Sequence, residues 1–291
     1  MTDTGYLEKL SKLRLSMKHK ASQNLSGNRK SIKKGSSTEF SDFREYIPGD
    51  DPKRIDWNAY GRLDKLYIKE YMEEKEAVTT ILIDTSASMD FGAINKKELV
   101  KKLALSFSYI TLNQSDKVVL IDLKHINAPF TVSGGKKAIP KVMNFLDQLT
   151  FEGTVNINGL TGRLPVKSPG ITFVISDFFQ EELLDSKDNI RRLCSFLQYK
   201  KQKPVFLQVL AGEEVNIELS GTYRLIDAEN NSTLRLTLEN KSIQAYENAL
   251  SAFQNTLSKE TNRVGGAFYP CHTFTSFDYL MLKELRFIYD F

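Results

Sequence analysis

The stretch VTTILIDTSASMDFG, residues 78–92, joins an apolar run to a loop rich in oxygen-bearing side chains. Residues 78–83 are apolar or β-branched throughout, which predicts a buried strand. Asp84, Ser86 and Ser88 follow at alternate positions, where this strand should end and a loop begin. Their oxygens raise the question of whether the loop holds a metal ion.

The middle of the chain alternates apolar runs with segments of helical periodicity. These patterns predict strands at about 78–84, 117–123, 171–177 and 204–210, with helices at about 95–113, 136–149 and 180–200. Strands that are apolar on both faces are typical of parallel sheets covered by helices on each side. The predicted fold class is therefore α/β, with a doubly wound, mostly parallel, Rossmann-like sheet.

Oxygen-bearing side chains recur at the predicted carboxyl edge of this sheet, where ligands bind in such folds. Asp177 ends the strand FVISD, and the loop FEGTVNING, residues 151–159, supplies Thr154. Mg²⁺ prefers a few carboxylates together with hydroxyls and water, and Mn²⁺ accepts similar ligands. The alternative is that the aspartate and serines after the first strand only cap the following helix. The candidate metal ligands are Asp84, Ser86, Ser88, Thr154 and Asp177.

The C-terminal third has a different pattern. GTYRLIDAENNSTLRLTL, residues 221–238, contains two strand-like runs separated by AENN, which predicts a β-hairpin. We interpret it as an insertion at about 213–239, before a helix at 240–262 and an edge strand within GGAFYPCHTF. The predicted organisation is an N-terminal extension, residues 1–75, followed by an α/β domain, residues 76–291.

The N-terminal extension begins with a basic arm. Residues 1–38 hold nine Lys and Arg against two acids, within a chain of formal charge +4. Tyr6, Leu10, Leu13 and Met17 fall at helical spacing and predict a short amphipathic helix. A basic arm can bind nucleic acid or anionic lipid, but this one lacks interleaved aromatic residues and any nucleic-acid motif. A solvated or protein-binding arm is the favoured interpretation.

The segment PGDDPKRIDW, residues 48–57, carries charges of alternating sign around the single tryptophan. The charged residues are Arg44, Asp50, Asp51, Arg54, Asp56 and Arg62. They form either a collar of ion pairs around Trp57 or a docking surface, and the collar is the preferred interpretation. We expect this stretch to pack across the α/β domain with Trp57 buried.

Several classes of protein are disfavoured by composition. No apolar run approaches the roughly 20 residues of a membrane span, and the N-terminus lacks the apolar core of a signal peptide. The two cysteines, Cys194 and Cys271, are too few for a disulfide framework and suit a reducing compartment. A cytoplasmic location is expected. The phosphate-binding motif of ATPases is absent, and the three histidines, His19, His125 and His272, are scattered and interpreted as packing residues.

The order of candidate ligands resembles the metal-ion-dependent adhesion site of von Willebrand factor type A domains. The stretch from Glu39 to Met89, which includes EFSDFREYIPGDDPKRIDWNAYGRLDKLYIKEYMEEKE and LIDTSASM, is also similar to the signature of the DUF58 family, whose members contain such a domain. GTYRLIDAEN and AYENALSAFQNTL fit the same family, so the resemblance extends over most of the chain.

The resemblance implies a binding function. Von Willebrand A domains hold Mg²⁺ with an open coordination position that a partner's Asp or Glu can complete. DUF58 proteins are commonly encoded beside MoxR-type AAA+ ATPases and are thought to assist them in assembling or activating other proteins. The family has no established catalytic activity, and this chain departs from many members in having no membrane segment, so a membrane-anchored role is not expected.

Two alternative functions remain open. A Mg²⁺-dependent hydrolase can use an Asp at the end of a first α/β strand as phosphoryl acceptor. That chemistry usually needs a second carboxylate two residues later, where this sequence has Ser86. Nucleic-acid binding through the basic arm is the other alternative, and it predicts a steep salt dependence.

Overall fold

A six-stranded sheet lies at the centre of the fold in this computed structural model. The structure describes residues 10, 13–15, 40–71, 78–166, 168–180, 183–184, 187–217, 221–229 and 232–290. The strands are β1 (Arg14–Leu15), β2 (Phe40–Glu45), β3 (Tyr67–Tyr71), β4 (Val78–Ile83), β5 (Lys117–Asp122), β6 (Phe130–Val132), β7 (Gly170–Ser176), β8 (Gln202–Leu210), β9 (Gly221–Ile226), β10 (Thr233–Leu238), β11 (Ala267–His272) and β12 (Tyr289–Asp290). The central sheet has the order β11-β8-β7-β4-β5-β6, and only the β5–β6 pair is antiparallel. The predicted α/β fold with a mostly parallel sheet is confirmed.

Helices connect these strands. The α-helices are α1 (Trp57–Leu63), α2 (Lys96–Asn113), α3 (Ile139–Asp147), α4 (Ile157–Leu160), α5 (Lys187–Tyr199), α6 (Gly212–Val215), α7 (Asn240–Arg263) and α8 (Phe277–Leu282). Short 3₁₀ helices lie at Pro52–Arg54, Ala87–Met89, Gly135–Ala138 and Glu284–Ile288. Within the part of the chain that the structure describes, no helix is both long and apolar enough to cross a membrane.

Both faces of the sheet are covered, as the apolar strands predict. Ile81 and Ile83 of β4 face one core cluster, which also contains Phe107 of α2. Leu82, which lies between them in sequence, faces a second cluster that contains Leu197 of α5. Neighbouring strand residues point to opposite faces. Since a cluster covers each face, β4 is buried along its whole length. The sheet is therefore doubly wound, with one hydrophobic core on each side.

The strand order reverses at β4. The chain passes from β4 to β5 on one side and returns through β7 on the other side of β4. In open α/β sheets this reversal creates a crevice beyond the carboxyl ends of the two strands, where ligands bind. The loops that follow β4 and β7 are the loops that carry Asp84 and Asp177.

The C-terminal third has the elements expected from its sequence. β9 and β10 form an antiparallel hairpin that is a separate two-stranded sheet. α7 follows the hairpin and leads to β11, which pairs in parallel with β8 at the edge of the central sheet. The other edge strand, β6, is only three residues long and was not predicted.

The N-terminal amphipathic helix is only partly supported. Leu10 is helical, but Arg14 and Leu15 form a strand that pairs with β12. A helix that continues through residue 17 is therefore wrong; Tyr6 and Met17 themselves lie outside the described residues. Leu10, Leu13 and Leu15 are buried in the core next to α2. Pairing with the far end of the chain has overridden the local helical spacing.

The chain separates into two compact units, Ser22–Glu76 and a second that comprises Met1–Ala21 with Ala77–Phe291. In the first unit β2 and β3 pair antiparallel. Arg44 donates to both carboxylate oxygens of Asp50, at 2.7 and 2.6 Å. These hydrogen bonds, with one from the Ile47 amide, lower the pKa of Asp50 to about 2. Ion pairing therefore does organise this segment.

Trp57 is not enclosed by those ion pairs. Trp57 is the first residue of α1, and it is 63% exposed. Its ring lies edge-on to that of Tyr60, with 6.2 Å between the ring centroids. The expected burial of Trp57 is therefore wrong. Asp56 instead uses its carboxylate to cap α1, accepting from the Asn58 and Ala59 amides, and pairs with Lys69 at 3.2 Å. The mixed charges thus fix the turn and the helix start.

Candidate metal site at the carboxyl end of the sheet

Asp84 anchors the loop after β4. Its amide donates to the Ile175 carbonyl at 3.0 Å, which continues the pairing of β4 with β7. One carboxylate oxygen accepts from the Ser86 amide at 2.9 Å and the Ser86 hydroxyl at 2.7 Å. The other accepts from the Ser176 hydroxyl at 2.5 Å. Asp84 is fully buried, so these bonds replace its hydration.

The serine hydroxyls converge beside this carboxylate. The Ser86 and Ser88 oxygens are 3.1 Å apart. Ser86 precedes the 3₁₀ helix Ala87–Met89, but its side chain makes no capping bond. α2 is instead capped by Asn95, whose side chain accepts from the Lys97 amide. The alternative that these side chains cap the following helix is therefore wrong for α2.

Thr154 lies on a loop that is attached to the serine loop. The Ala87 amide donates to the Gly153 carbonyl at 2.9 Å, and the Glu152 amide donates to the Thr85 carbonyl at 3.0 Å. Glu152 and Gly153, the two residues before Thr154, are thus bonded directly to the serine loop. Its side chain is exposed. The structure thus brings the Thr154 loop to the same edge of the sheet.

Asp177 occupies the matching position after β7. It is buried, and one carboxylate oxygen accepts from the Phe179 amide at 3.1 Å. The other accepts from the Lys96 ammonium at 2.9 Å. Lys96 is also buried and donates to Glu214 at 2.8 Å. The site therefore contains an internal ammonium ion that the sequence pattern did not reveal.

The site has a surplus of negative charge. Burial, and then the nearby charge of Asp177, raise the pKa of Asp84 to about 6, against hydrogen bonds from Ser176 and Ser86. Burial alone would lower the pKa of Lys96, but Asp177 and Glu214 outweigh it and raise that pKa. When ionised, Asp84, Asp177 and Glu214 contribute three negative charges against one from Lys96, a balance of −2. A buried surplus of this sign favours a cation.

The turn between β9 and β10 carries a further acid. Glu229 lies in this turn and is half-buried. Burial raises the pKa of Glu229; Ser88 opposes this shift, while the charges of Asp84 and Asp177 add to it. The sequence AENN predicts only a turn, although it places an acid at the tip of the hairpin.

A pair of polar side chains, Asp122 and His125, lies at the carboxyl end of the neighbouring strand β5. Asp122 ends β5 and accepts from the Thr85 hydroxyl at 2.6 Å and the Lys124 amide at 3.0 Å. His125 approaches its other oxygen at 2.8 Å, and the His125 side chain is 68% exposed. The sequence interpretation of His125 as a packing residue is therefore wrong, because its side chain lies at the surface. Thr85 connects this pair to the loop that carries the candidate ligands.

An apolar groove of about 480 Å³ lies at the same end of the sheet. Ile94 and Phe274 line it and are both largely exposed. Glu213 also lines the groove and accepts from the Ala93 amide at 2.7 Å. It precedes Glu214, the partner of Lys96, so one short helix contacts both the groove and the candidate site.

The donor set suits a hard cation that relies on hydroxyl ligands. Among the described residues, no three His, Cys, Asp or Glu side chains converge closely enough to hold a metal ion. The oxygens of Ser86 and Ser88 lie beside the buried Asp84 carboxylate instead. Oxygen donors with few carboxylates are what Mg²⁺ accepts. The residues present therefore fit such an ion.

Comparisons with known proteins identify related chains. A family model described as "Protein of unknown function DUF58" matches residues 42–256, more than half of the chain. Uncharacterized proteins of Mycobacterium tuberculosis and Mycobacterium bovis are 30% identical over 100 residues, which cover 34% of this chain and 32% of each relative. The match thus spans about a third of the length of those relatives.

Two solved structures are also similar to this chain. A conserved hypothetical protein, BatB from Bacteroides thetaiotaomicron, has 14% identity and a TM-score of 0.42, covering 73% of this chain and 98% of its own. An aerotolerance-related membrane protein from Bacteroides fragilis has 18% identity and a TM-score of 0.30, covering 64% of this chain and 99% of its own.

Proposed function

This chain belongs to the DUF58 family, and from that premise we propose that it is a metal-dependent protein-interaction module with a von Willebrand factor type A-like domain. The observation that carries the proposal is the buried pair Asp84 and Asp177 at the reversal point of the sheet. The Ser86 and Ser88 hydroxyls lie beside Asp84. Ligands bind at this edge in α/β sheets generally.

The proposed site is a metal-ion-dependent adhesion site. Ser86 and Ser88 would bind the ion directly, while Asp84, Thr154 and Asp177 would bind it directly or through water. Because Ser86 donates its hydrogen to Asp84, its lone pairs stay available for a cation. Bound Mg²⁺ or Mn²⁺ would offer a coordination position to a carboxylate from another protein.

The proposed partner is a protein that presents an Asp or Glu to this ion. The family resemblance suggests a MoxR-type AAA+ ATPase, with this chain as an adaptor in the assembly or activation of other proteins. The groove beside Ile94 and Phe274 supports a protein partner, because it can take an apolar side chain next to the incoming carboxylate. We assign no catalytic residue.

The alternatives have less support. A hydrolase that uses Asp84 as nucleophile usually needs a second carboxylate two residues later, and this chain has Ser86 there, whose hydroxyl donates to Asp84. Nucleic-acid binding rests on residues 1–38, of which only 10 and 13–15 are described. That alternative therefore stays a prediction, tested by the salt dependence of RNA and DNA binding.

Calorimetry and a pull-down test the proposal together. We expect the protein to bind Mg²⁺ or Mn²⁺, and to retain partner proteins from a lysate in Mg²⁺ but not in EDTA. Asp84→Ala should abolish both effects, because it removes the acceptor that orients Ser86. Asp147→Ala is the matched control, since Asp147 is exposed at the end of α3. Metal-free binding that survives EDTA would contradict the proposal.

A further inference from the structure

The β9–β10 hairpin exposes both of its faces. Among the strands that the structure describes, β9 and β10 pair only with each other. None of their residues is buried, and only Tyr223, Leu236 and Leu238 are half-buried. An isolated two-stranded hairpin is marginally stable in water. The exposed side chains therefore contribute little to a core and are available to another molecule.

Two arginines lie directly opposite each other on one face of the hairpin. Arg235 is the register partner of Arg224, and residues in such positions point to the same face with Cβ atoms about 4.5–5.5 Å apart. Both arginines are exposed. Within the described part of the chain, neither guanidinium forms an ion pair or a hydrogen bond. Like charges directly opposite each other destabilise a strand pair, so an anion bound between them would relieve this repulsion.

The neighbouring positions on this face carry hydroxyl groups and one apolar side chain. Strand residues two apart share a face, so the Thr222 and Thr237 hydroxyls, 3.0 Å apart, lie on one side of the arginines. On the other side, toward the turn, Ile226 is largely exposed opposite Thr233. The basic face of the hairpin comprises Thr222, Arg224, Ile226, Thr233, Arg235 and Thr237. It therefore offers two cations beside an exposed aliphatic side chain.

This combination suits the carboxylates of a protein better than the phosphates of a nucleic acid. A guanidinium pairs with a carboxylate through two parallel hydrogen bonds, and Ile226 gives a protein segment an apolar contact beside them. Single-stranded nucleic acid is bound through aromatic rings that stack on its bases and through a series of cations along its backbone. The basic face has no aromatic residue, because Tyr223, next to Arg224 in sequence, points to the other face.

We propose that the basic face is a docking surface for an acidic segment of a protein partner. Two Asp or Glu side chains of that segment pair with Arg224 and Arg235, and an adjoining aliphatic side chain packs on Ile226. The paired carboxylates neutralise the repulsion between the arginines, and the fork geometry of each guanidinium makes the contact directional. No metal ion takes part, so this contact goes beyond the proposed metal-dependent function.

Peptide selection in EDTA tests this docking surface. Displayed peptides of random sequence are selected on the wild type after depletion on the double variant Arg224→Gln, Arg235→Gln. We expect the enriched peptides to combine a pair of acids with an aliphatic residue, and each Arg→Gln change to weaken binding of the best synthetic peptide on the order of tenfold. Arg192→Gln is the matched control, because Arg192 is an exposed arginine of α5, and this variant should bind the peptide like the wild type.

The variant Arg235→Glu separates docking from folding. A glutamate opposite Arg224 turns the repulsion into a favourable cross-strand pair. Amide exchange of β9 and β10 should therefore slow by a few-fold in the free protein, while peptide binding is lost. An unchanged affinity for the peptide in this variant would overturn the inference.

RNA and lipid are the comparison ligands. Failure to enrich any arginine-dependent peptide would overturn the inference. Binding of an RNA oligonucleotide or of phosphatidylserine vesicles to the wild type, and not to the double variant, would then assign the basic face to phosphate instead. Because all binding is measured in EDTA, these outcomes do not depend on the metal site, and failure of the proposed function leaves them unaffected.

Discussion

At the residue scale, Lys96 provides the positive charge that offsets part of the negative charge of the site when no metal ion is bound. It lies at the start of α2, fully buried, and its ammonium is 2.9 Å from Asp177 and 2.8 Å from Glu214. A buried charge is tolerated only when it is paired. Lys96 thus pairs with two acids inside the protein, but among the residues that the structure describes it leaves Asp84 without a counter-charge of its own.

Replacing Lys96 by Met should reveal this role. Loss of one partner from a buried ion pair costs about 3–5 kcal/mol, so Lys96→Met should be strongly destabilised in EDTA. Mg²⁺ should recover more stability in this variant than in the wild type, since the cation then has more negative charge to neutralise. Chemical denaturation with and without Mg²⁺ measures both effects.

The neighbouring lysine gives the control. Lys97 pairs with Asp90 at the partly exposed surface, where an ion pair contributes at most about 1 kcal/mol. If Lys96→Met and Lys97→Met had the same stability, the buried ion pairs of Lys96 would not stabilise the fold as we predict.

Some of these residues were predictable from sequence and others were not. Asp84, Ser86, Ser88 and Asp177 each follow an apolar strand, and the carboxyl ends of parallel strands meet at one edge. Lys96 and Glu214 reach the site through contacts that span 81 and 118 residues. No local pattern encodes contacts of that length, so these residues could only be found in the structure.

At the element scale, the close pairing of β4 with β7 sets the distance between the two aspartate loops. Val78 to Ile83 run in register with Gly170 to Ile175. Gly170 lies against the Val78 backbone, and a Cβ there would collide with the Val78 carbonyl oxygen. This glycine is needed for close approach of the strands.

Gly170→Ala should therefore push β4 and β7 apart. We expect a loss of about 1–3 kcal/mol in unfolding free energy, as for other overpacked sites. Gly61→Ala is the control, since no atom lies within 4 Å of a Cβ at that helical position and alanine favours the helix. If the two variants were equally stable, the close contact between β4 and β7 at Gly170 would not be needed for stability, which would contradict the prediction.

Elements with a long, uniform pattern were predicted well, and elements defined by tertiary pairing were not. The apolar runs of β4, β5, β7 and β8 encode burial on both faces, which local sequence can express. β1 and β6 are two and three residues long and exist because another segment pairs with them. Helical spacing around Leu10 and Leu13 was accordingly a poor guide to the structure of residues 14–15.

At the scale of the whole molecule, a chain with 40 basic and 36 acidic residues collects buried acids at one edge of its sheet. The doubly wound fold accounts for the position of this edge, because the strand order reverses at β4. The central claim is that this edge holds a divalent cation, and the proposed partner binding depends on it.

Crystals grown with Mn²⁺, and the anomalous scattering of that ion, would test this claim most directly. We predict an anomalous peak at the carboxyl ends of β4 and β7, bound by the hydroxyls of Ser86 and Ser88 and absent from crystals of Asp84→Ala. A wild-type map without a peak there, at an Mn²⁺ concentration that saturates calorimetric binding, would contradict the account.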